Sequence, residues 1–224
     1  MAADKDNTPI KEKLLQSGLK LFSKYGYDAT TTRMIAKEAG VVRSSIAFYF
    51  ETKEALYSAV HDMAMDIIAA YLDPLYTSVT TAYDKGEIDS QNAYCNICRL
   101  LKSQVRWYFS GENRDVVRLI MRENSFETEK SDFVYDALLE KFVGLLARLI
   151  MTATGLKDKR HALMLALAIN GSIQSMGEHL AFTSKVFELN EYPDNINVFL
   201  EELINISLDN ARLIVSHTNE QDKI

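Results

Sequence analysis

Apolar residues at Ile10, Leu14, Leu15, Leu19, Leu21, Phe22 and Tyr25 approximate the i, i+3, i+4, i+7 spacing of an amphipathic helix. Thr8 followed by Pro9 is a start signal, a capping hydroxyl ahead of the helical position where a missing N–H costs least. Gly26 ends the segment. Tyr27 to Thr32 reads as a turn whose last threonines can cap a second, short helix carrying Ile35, Ala36 and Ala39 on one face. That helix closes at Gly40, a residue suited to a left-handed cap. A third helix starts near Val42 or Arg43 and includes Ser44 to Phe50, with Ile35, Ala39, Val41 and Ile46 as the small core between the two. Two short helices around a glycine-containing turn form a helix-turn-helix, which presents its second helix to the major groove of DNA.

Beyond Thr52 the pattern lengthens. Apolar periodicity predicts helices over 53–81, 90–109, 112–126, 131–154, 157–183 and 194–217, separated by Gly86, Gly111, Gly155, the polar stretch 125–130 and Glu191-Tyr192-Pro193-Asp194. The whole chain then counts about nine helices, an all-α fold. A functional boundary falls after Thr52: residues 1–52 as a DNA-binding domain, 53–224 as an effector-binding and dimerisation domain. With 9 Gly and 3 Pro in 224 residues, turns are too few for a sheet protein.

Net charge is −6, which by itself argues against a protein that coats nucleic acid, but the distribution is uneven. Residues 1–53 carry a net +3 and the remainder −9, as expected of a small phosphate-facing module on an acidic body. No run is long and apolar enough for a membrane span, and the polar start Met1-Ala2-Ala3-Asp4 lacks a signal-peptide core, so a cytoplasmic location is expected. Cys95 and Cys98 are the only cysteines, too few for a disulfide framework; as half a zinc site or a redox pair they lack further ligands or a βαβ setting, and small buried hydrophobes are the simpler reading. His61, His161, His179 and His217 show no ligand spacing, and no P-loop, G-x-S-x-G or G-x-G-x-x-G occurs. No metal, cofactor or enzymatic activity is expected.

The run from Leu14-Leu15 through Leu21-Phe22, Gly26-Tyr27-Asp28-Ala29-Thr30-Thr31-Thr32-Arg33-Met34-Ile35-Ala36 and Ala39-Gly40-Val41 to Phe48-Tyr49-Phe50 and Lys53-Glu54-Ala55-Leu56 resembles the DNA-binding domain of TetR-family transcriptional repressors. The resemblance covers about Lys11 to Tyr57. It implies that three helices bind DNA while the rest bind an inducer and dimerise. It further implies that Thr32 and Arg33 approach phosphate, that Arg43, Ser44, Ser45 and Phe48 line the recognition helix, that Tyr49 offers a hydroxyl, and that Lys53 meets backbone phosphate. Arg43 can reach a guanine edge or a phosphate, and the serines can bond either. Two departures stand out: Val42 replaces the usual Ser/Thr cap, a role Ser44 or a neighbour would have to fill, and Ala47 stands where a phosphate-contacting tyrosine is common. Gly18 inside the first helix costs ~1 kcal/mol relative to alanine unless close packing requires it.

For an effector cavity the candidates are Arg106, Trp107, Tyr108, Arg118, Met121, Arg122, Phe126, Asn170, Gln174 and His179, which mix large apolar surface with a few polar groups. An acidic ligand would take Arg106 or Arg122, and a cationic one Trp107 with an acid such as Glu123. Small residues along 157–183, notably Ala168, Gly171, Ser172 and Ser175, together with Leu203 and Ile206 of the last helix, are candidates for a homodimer interface, although small residues also ease packing within one subunit. The expectation is a dimeric, effector-released repressor of a palindromic operator; an effector-independent regulator, or a helical-bundle enzyme, is the alternative.

Overall fold

The computed structural model describes residues 8–109, 111–124, 141–186 and 194–221. Ten α-helical segments lie among them, together with a short 3-10 turn at Gly111–Asn113: α1 (Thr8–Ala29), α2 (Thr32–Glu38), α3 (Ser44–Phe50), α4 (Lys53–Asp84), α5 (Ser90–Phe109), α6 (Arg114–Asn124), α7 (Lys141–Thr154), α8 (Lys159–Glu178), α9 (Leu180–Val186) and α10 (Asp194–Gln221). The single helix expected over 157–183 is interrupted at His179, whose φ of −100° and ψ of 37° leave the helical region. Read as one broken helix, α8 and α9 bring the count back to about nine. The expected start of a helix at Ser131 lies outside the described residues.

The chain condenses into two compact units. One comprises residues 1–71 with 112–134, the other 72–111 with 135–224. α4 gives its first part to one unit and its last part to the other.

In the first unit, α1 is packed by α2, α3 and α6. Its core holds Leu14, Phe22, Ile35, Ile46, Leu56 and Val60, all 2% exposed or less. Gly18 is explained by close approach: a Cβ there would lie 2.8 Å from Val60 Cγ2, well inside carbon–carbon contact distance. Helical geometry in α1 breaks at Gly26, with φ 81° and ψ 173°, as its sequence position requires. Three consecutive threonines then do different jobs. Buried Thr30 donates its hydroxyl to the Gly26 carbonyl at 2.7 Å, occupying an acceptor left over where α1 ends. Thr31 caps α2 by accepting from the Met34 N–H at 3.3 Å. Thr32 holds Arg43.

The second unit is a bundle of α5, α7, α8 and α10, with the end of α4. Ile97, Leu101, Leu146, Leu149, Ile150, Ile169 and Ile204 are fully buried there. Asp158 caps α8, accepting from the Arg160 N–H at 2.8 Å. No described helix is long and apolar enough to cross a membrane.

Candidate nucleic-acid interface

α2 and α3 meet across the turn 39–43, where Gly40 takes φ 67° and the Val41 N–H returns to the Ala36 carbonyl at 2.9 Å. Along α3, Ile46 and Phe50 turn into the core while Arg43, Ser44, Ala47 and Phe48 are exposed, and Ser45 and Tyr49 are half-buried. Arg43 donates from Nε to Thr32 Oγ1 at 3.2 Å, a bond joining the starts of both helices. Holding the guanidinium of this exposed residue at Nε restrains its direction while using only one of its donor nitrogens, so the two terminal nitrogens are not engaged by this bond. Arg33 is exposed beside it. α3 has no side-chain cap at all, so Ser44 does not replace the missing hydroxyl. Instead the Ser45 and Ile46 N–H groups bond the carbonyls of Val42 and Arg43 at 3.0 and 3.1 Å, a tight 3-10-like first turn.

The link from α3 to α4 is strained. Glu51 sits at φ 64°, ψ −55°, and the Thr52 N–H reaches back to the Phe50 carbonyl at 2.6 Å, the rare form of the three-residue turn. Thr52 Oγ1 then accepts from the Ala55 N–H at 3.0 Å and starts α4. Lys53 follows, its ammonium 4.0 Å from the centroid of the Tyr27 ring. That ring is itself fixed: it packs edge-on against Tyr57 at 5.0 Å and stacks with Phe22 at 6.2 Å. Its hydroxyl donates to Glu54, and burial together with this bond pushes the phenol up to about 12, while the same bond holds the Glu54 carboxyl below the usual carboxylate range. Tyr27 is thus a support for Lys53 that sequence reasoning missed; nothing in local spacing links residues 27 and 53.

The effector candidates fall in both units. Arg118, Met121 and Arg122 belong to the first, where Arg122 lies so close to Gly26 that a Cβ there would be 3.1 Å from its Nη1. Arg106, Trp107, Tyr108, Asn170, Gln174 and His179 belong to the second. Arg106 is exposed and bonds its own helix; His179 is exposed at the end of α8 with Nδ1 3.0 Å from the Ser175 carbonyl. Phe126 lies outside the described residues. Between α5 and α8, however, a partly buried polar cluster forms. Gln174 donates to the Tyr108 hydroxyl at 3.1 Å, and Gln104, not among the expected residues, donates to Asn170. Gln104 and Asn170 are 6% and 4% exposed, and the Gln104 Oε1 has no partner among the described residues. Burial raises the Tyr108 phenol above its ordinary value, opposed by the bonds from Gln174 and Gln104. Gly177 is pressed against this tyrosine: a Cβ there would lie 2.9 Å from Tyr108 Cβ.

The sequence profile for bacterial regulatory proteins of the tetR family matches residues 14–60, the segment that builds this face. That segment is a TetR-family DNA-binding domain. Across 145 residues the chain is 27% identical to the HTH-type transcriptional dual regulator CecR of Shigella flexneri, an alignment covering 65% of this chain and 65% of that relative's length. A TetR-like transcriptional regulator from Rhodococcus sp. RHA1 superposes with a TM-score of 0.64 at 17% identity, over 89% of this chain and 96% of that one. AibR, solved in complex with isovaleryl coenzyme A and operator DNA, superposes at 0.61 and 15% identity, over 89% and 96% of the two chains. At these identities the structural likeness concerns the fold alone, and it includes helices beyond the matched segment.

In the second unit the small residues of α8 divide by face. Ala162 and Ala166 are buried, whereas Ala168, Gly171 and Ser175 are exposed in a row with Met164 and Leu167. Ser172 is half-buried and bonds the Ala168 carbonyl at 2.8 Å. On α10, Leu203 packs on the core while Ile206 is 61% exposed, with Val198 and Leu213 along the same helix at 59% and 56%. Cys95 is exposed and Cys98 half-buried, and burial pushes the Cys98 thiol up, away from thiolate reactivity. No cluster of metal-ligating side chains occurs among the described residues.

Proposed function

We propose that this chain is a dimeric, effector-responsive repressor of the TetR family that binds a palindromic operator. The observation that carries the DNA-binding reading is the face made by α2 and α3. In this reading Thr32 and Arg33 at the start of α2 meet phosphate, and Arg43, Ser44, Ser45, Phe48 and Tyr49 meet the groove. Lys53, propped on Tyr27, meets the flanking backbone; the Arg43–Thr32 bond and the Lys53–Tyr27 contact support it. Residues 1–52 are the DNA-binding part in this reading, 53–224 the part that dimerises and takes the effector. AibR, solved with operator DNA and an acyl-coenzyme A, supports a TetR scaffold accepting both kinds of partner.

The exposed apolar rows on α8 and α10 support a dimer through Ala168, Gly171, Ser175 and Ile206, because small side chains let a second copy approach closely and the neighbouring Met164 and Leu167 supply area. For the effector, the described polar side chains that meet between α5 and α8, buried Gln104 and Asn170 with half-buried Tyr108 and Gln174, are uncharged, and the Gln104 carbonyl has no partner among the described residues, so this cluster suits a neutral ligand bearing a hydrogen-bond donor. α4 is the covalent path by which such a ligand shifts the population between DNA-competent and incompetent spacings. A hundredfold loss of operator affinity needs ~2.7 kcal/mol of differential binding.

Footprinting on the DNA flanking the gene, with light scattering on the protein alone, tests the reading. Expected are a dimer and two protected half-sites separated by about one helical turn, ~34–36 Å. A monomer, or a single half-site, overturns the palindromic mechanism.

A further inference from the structure

The outward face of α3 is half apolar. Ile46 and Phe50 are 2% and 7% exposed in the core, which leaves Arg43 with Ala47 and Ser44 with Phe48 as two adjacent outward rows, each pair four residues apart. Phe48 keeps 72% of its surface open, and Val42, ahead of the helix, 70%. Tyr49 packs at 90° to the Phe48 ring with centroids 5.0 Å apart, so the phenyl is braced in its outward position. The surrounding charge is positive on balance: Arg33, Lys37 and Arg43 are exposed on α2 and at the head of α3, the acid Glu38 is paired with Lys20 at 2.5 Å, and Glu51 stands exposed at the far end of α3. The surface therefore fits a polyanion that also displays something apolar.

In the major groove only one base does. Thymine shows a C5-methyl group at the edge where cytosine shows hydrogen, and a phenyl ring is one of the side chains that can cover it. Resting on the reading of α3 as recognition helix, we infer that Phe48 is the specificity-determining residue for a thymine methyl in each operator half-site. Arg43 lies five residues away, ~7.5 Å along the helix, which sets the thymine within about two base-pair steps of the group Arg43 engages. The serines of α3 each bring a single hydroxyl that bonds several edges equally well, so the methyl contact supplies discrimination they lack.

The test uses the full-length protein. Selection from a random duplex library yields a preferred sequence, which is then remade with deoxyuridine in place of thymidine, position by position, removing the methyl and nothing else. Expected is a loss of about fourfold in affinity per contacted methyl for the wild-type protein. Phe48→Ala, changed at an exposed position, binds both forms alike and retains the affinity that wild type shows for the uracil form. Equal wild-type affinity for the two forms at every position overturns the inference while leaving the DNA-binding reading intact, as does a Phe48→Ala variant that still discriminates. Enrichment of no sequence at all overturns the recognition helix and the inference together. A shift to a smaller species on Phe48→Ala in the absence of DNA assigns the phenyl to a contact between copies of the chain and also overturns it.

Discussion

Replacing Gly18 by alanine sets two effects of known sign against each other. In a helix interior the change should stabilise by ~1 kcal/mol, because glycine loses more backbone entropy on folding. Here, though, the new methyl would meet Val60 Cγ2 at 2.8 Å, and Val60 is a fully buried, β-branched side chain on α4 with a stiff χ1. Carbon atoms pack best at about 3.5–4.0 Å, so one element must shift by a large part of an ångström, and overpacking of this kind costs about 1–3 kcal/mol. The overpacking term exceeds the propensity term, and Gly18→Ala is expected to destabilise by about 1 kcal/mol, or roughly 2–4 °C in the melting temperature of a chain this size. Val60→Ala removes the obstructing methyls. In that background the same substitution should become stabilising by up to ~1 kcal/mol, which makes the coupling about 2 kcal/mol and reverses the sign of the effect. Urea titrations of the four proteins, followed by circular dichroism, give the cycle. Stabilisation by Gly18→Ala in the wild-type background, or additivity across the cycle, would refute the close approach of α1 and α4.

Three further substitutions probe other features. Glu51→Gly relieves a positive φ held by the turn after α3 and should raise stability by about 1 kcal/mol, strain relief of ~1–3 outweighing the entropy of glycine; a loss of stability would show that the Glu51 side chain matters more than its backbone. Tyr27→Phe keeps the ring packing and removes the bond to Glu54. Because that bond depresses the Glu54 carboxyl, its stabilisation is present above the ordinary carboxylate range and lost as pH falls, so the gap in denaturant midpoint between the two proteins should close in acid, and a gap independent of pH would sink the idea. Gln104→Leu strands the Asn170 carbonyl oxygen and should cost about 1–3 kcal/mol, whereas the double change with Asn170→Leu recovers most of it; no recovery would contradict a paired amide cluster.

Local chemistry made the helix-turn-helix legible in the sequence. Thr31 caps, Gly26 and Gly40 take positive φ, and Ile35 and Ile46 are buried as expected, whereas Ala39 and Val41 of the expected small core are only half-buried and Phe50 joins the core unannounced. Gly18, an anomaly by propensity, was itself a signal of close packing. What escaped was tertiary. The helix break at His179 has no proline, and Gly177 nearby serves Tyr108 packing. Glu51 carries no residue signature of its turn, since positive φ is usually read from glycine or asparagine. Gln104 could have been found: counting from Ala93, Ile97 and Leu100 along the buried face of α5 reaches it, and a polar residue on an apolar stripe marks a bonded cluster. The support of Lys53 by Tyr27 joins residues distant in sequence, and only the folded arrangement brings them together.

Sequence-selective DNA binding by the face of α2 and α3 is settled by titrating the full-length protein in salt against the DNA flanking its gene, beside the Arg43→Ala/Lys53→Ala variant. Expected is tight, selective binding whose logarithm falls linearly with that of the salt concentration, and in the variant a slope smaller by about one for each phosphate contact removed, with selectivity reduced. Weak and equal affinity for every duplex, unchanged by the double substitution, would contradict it.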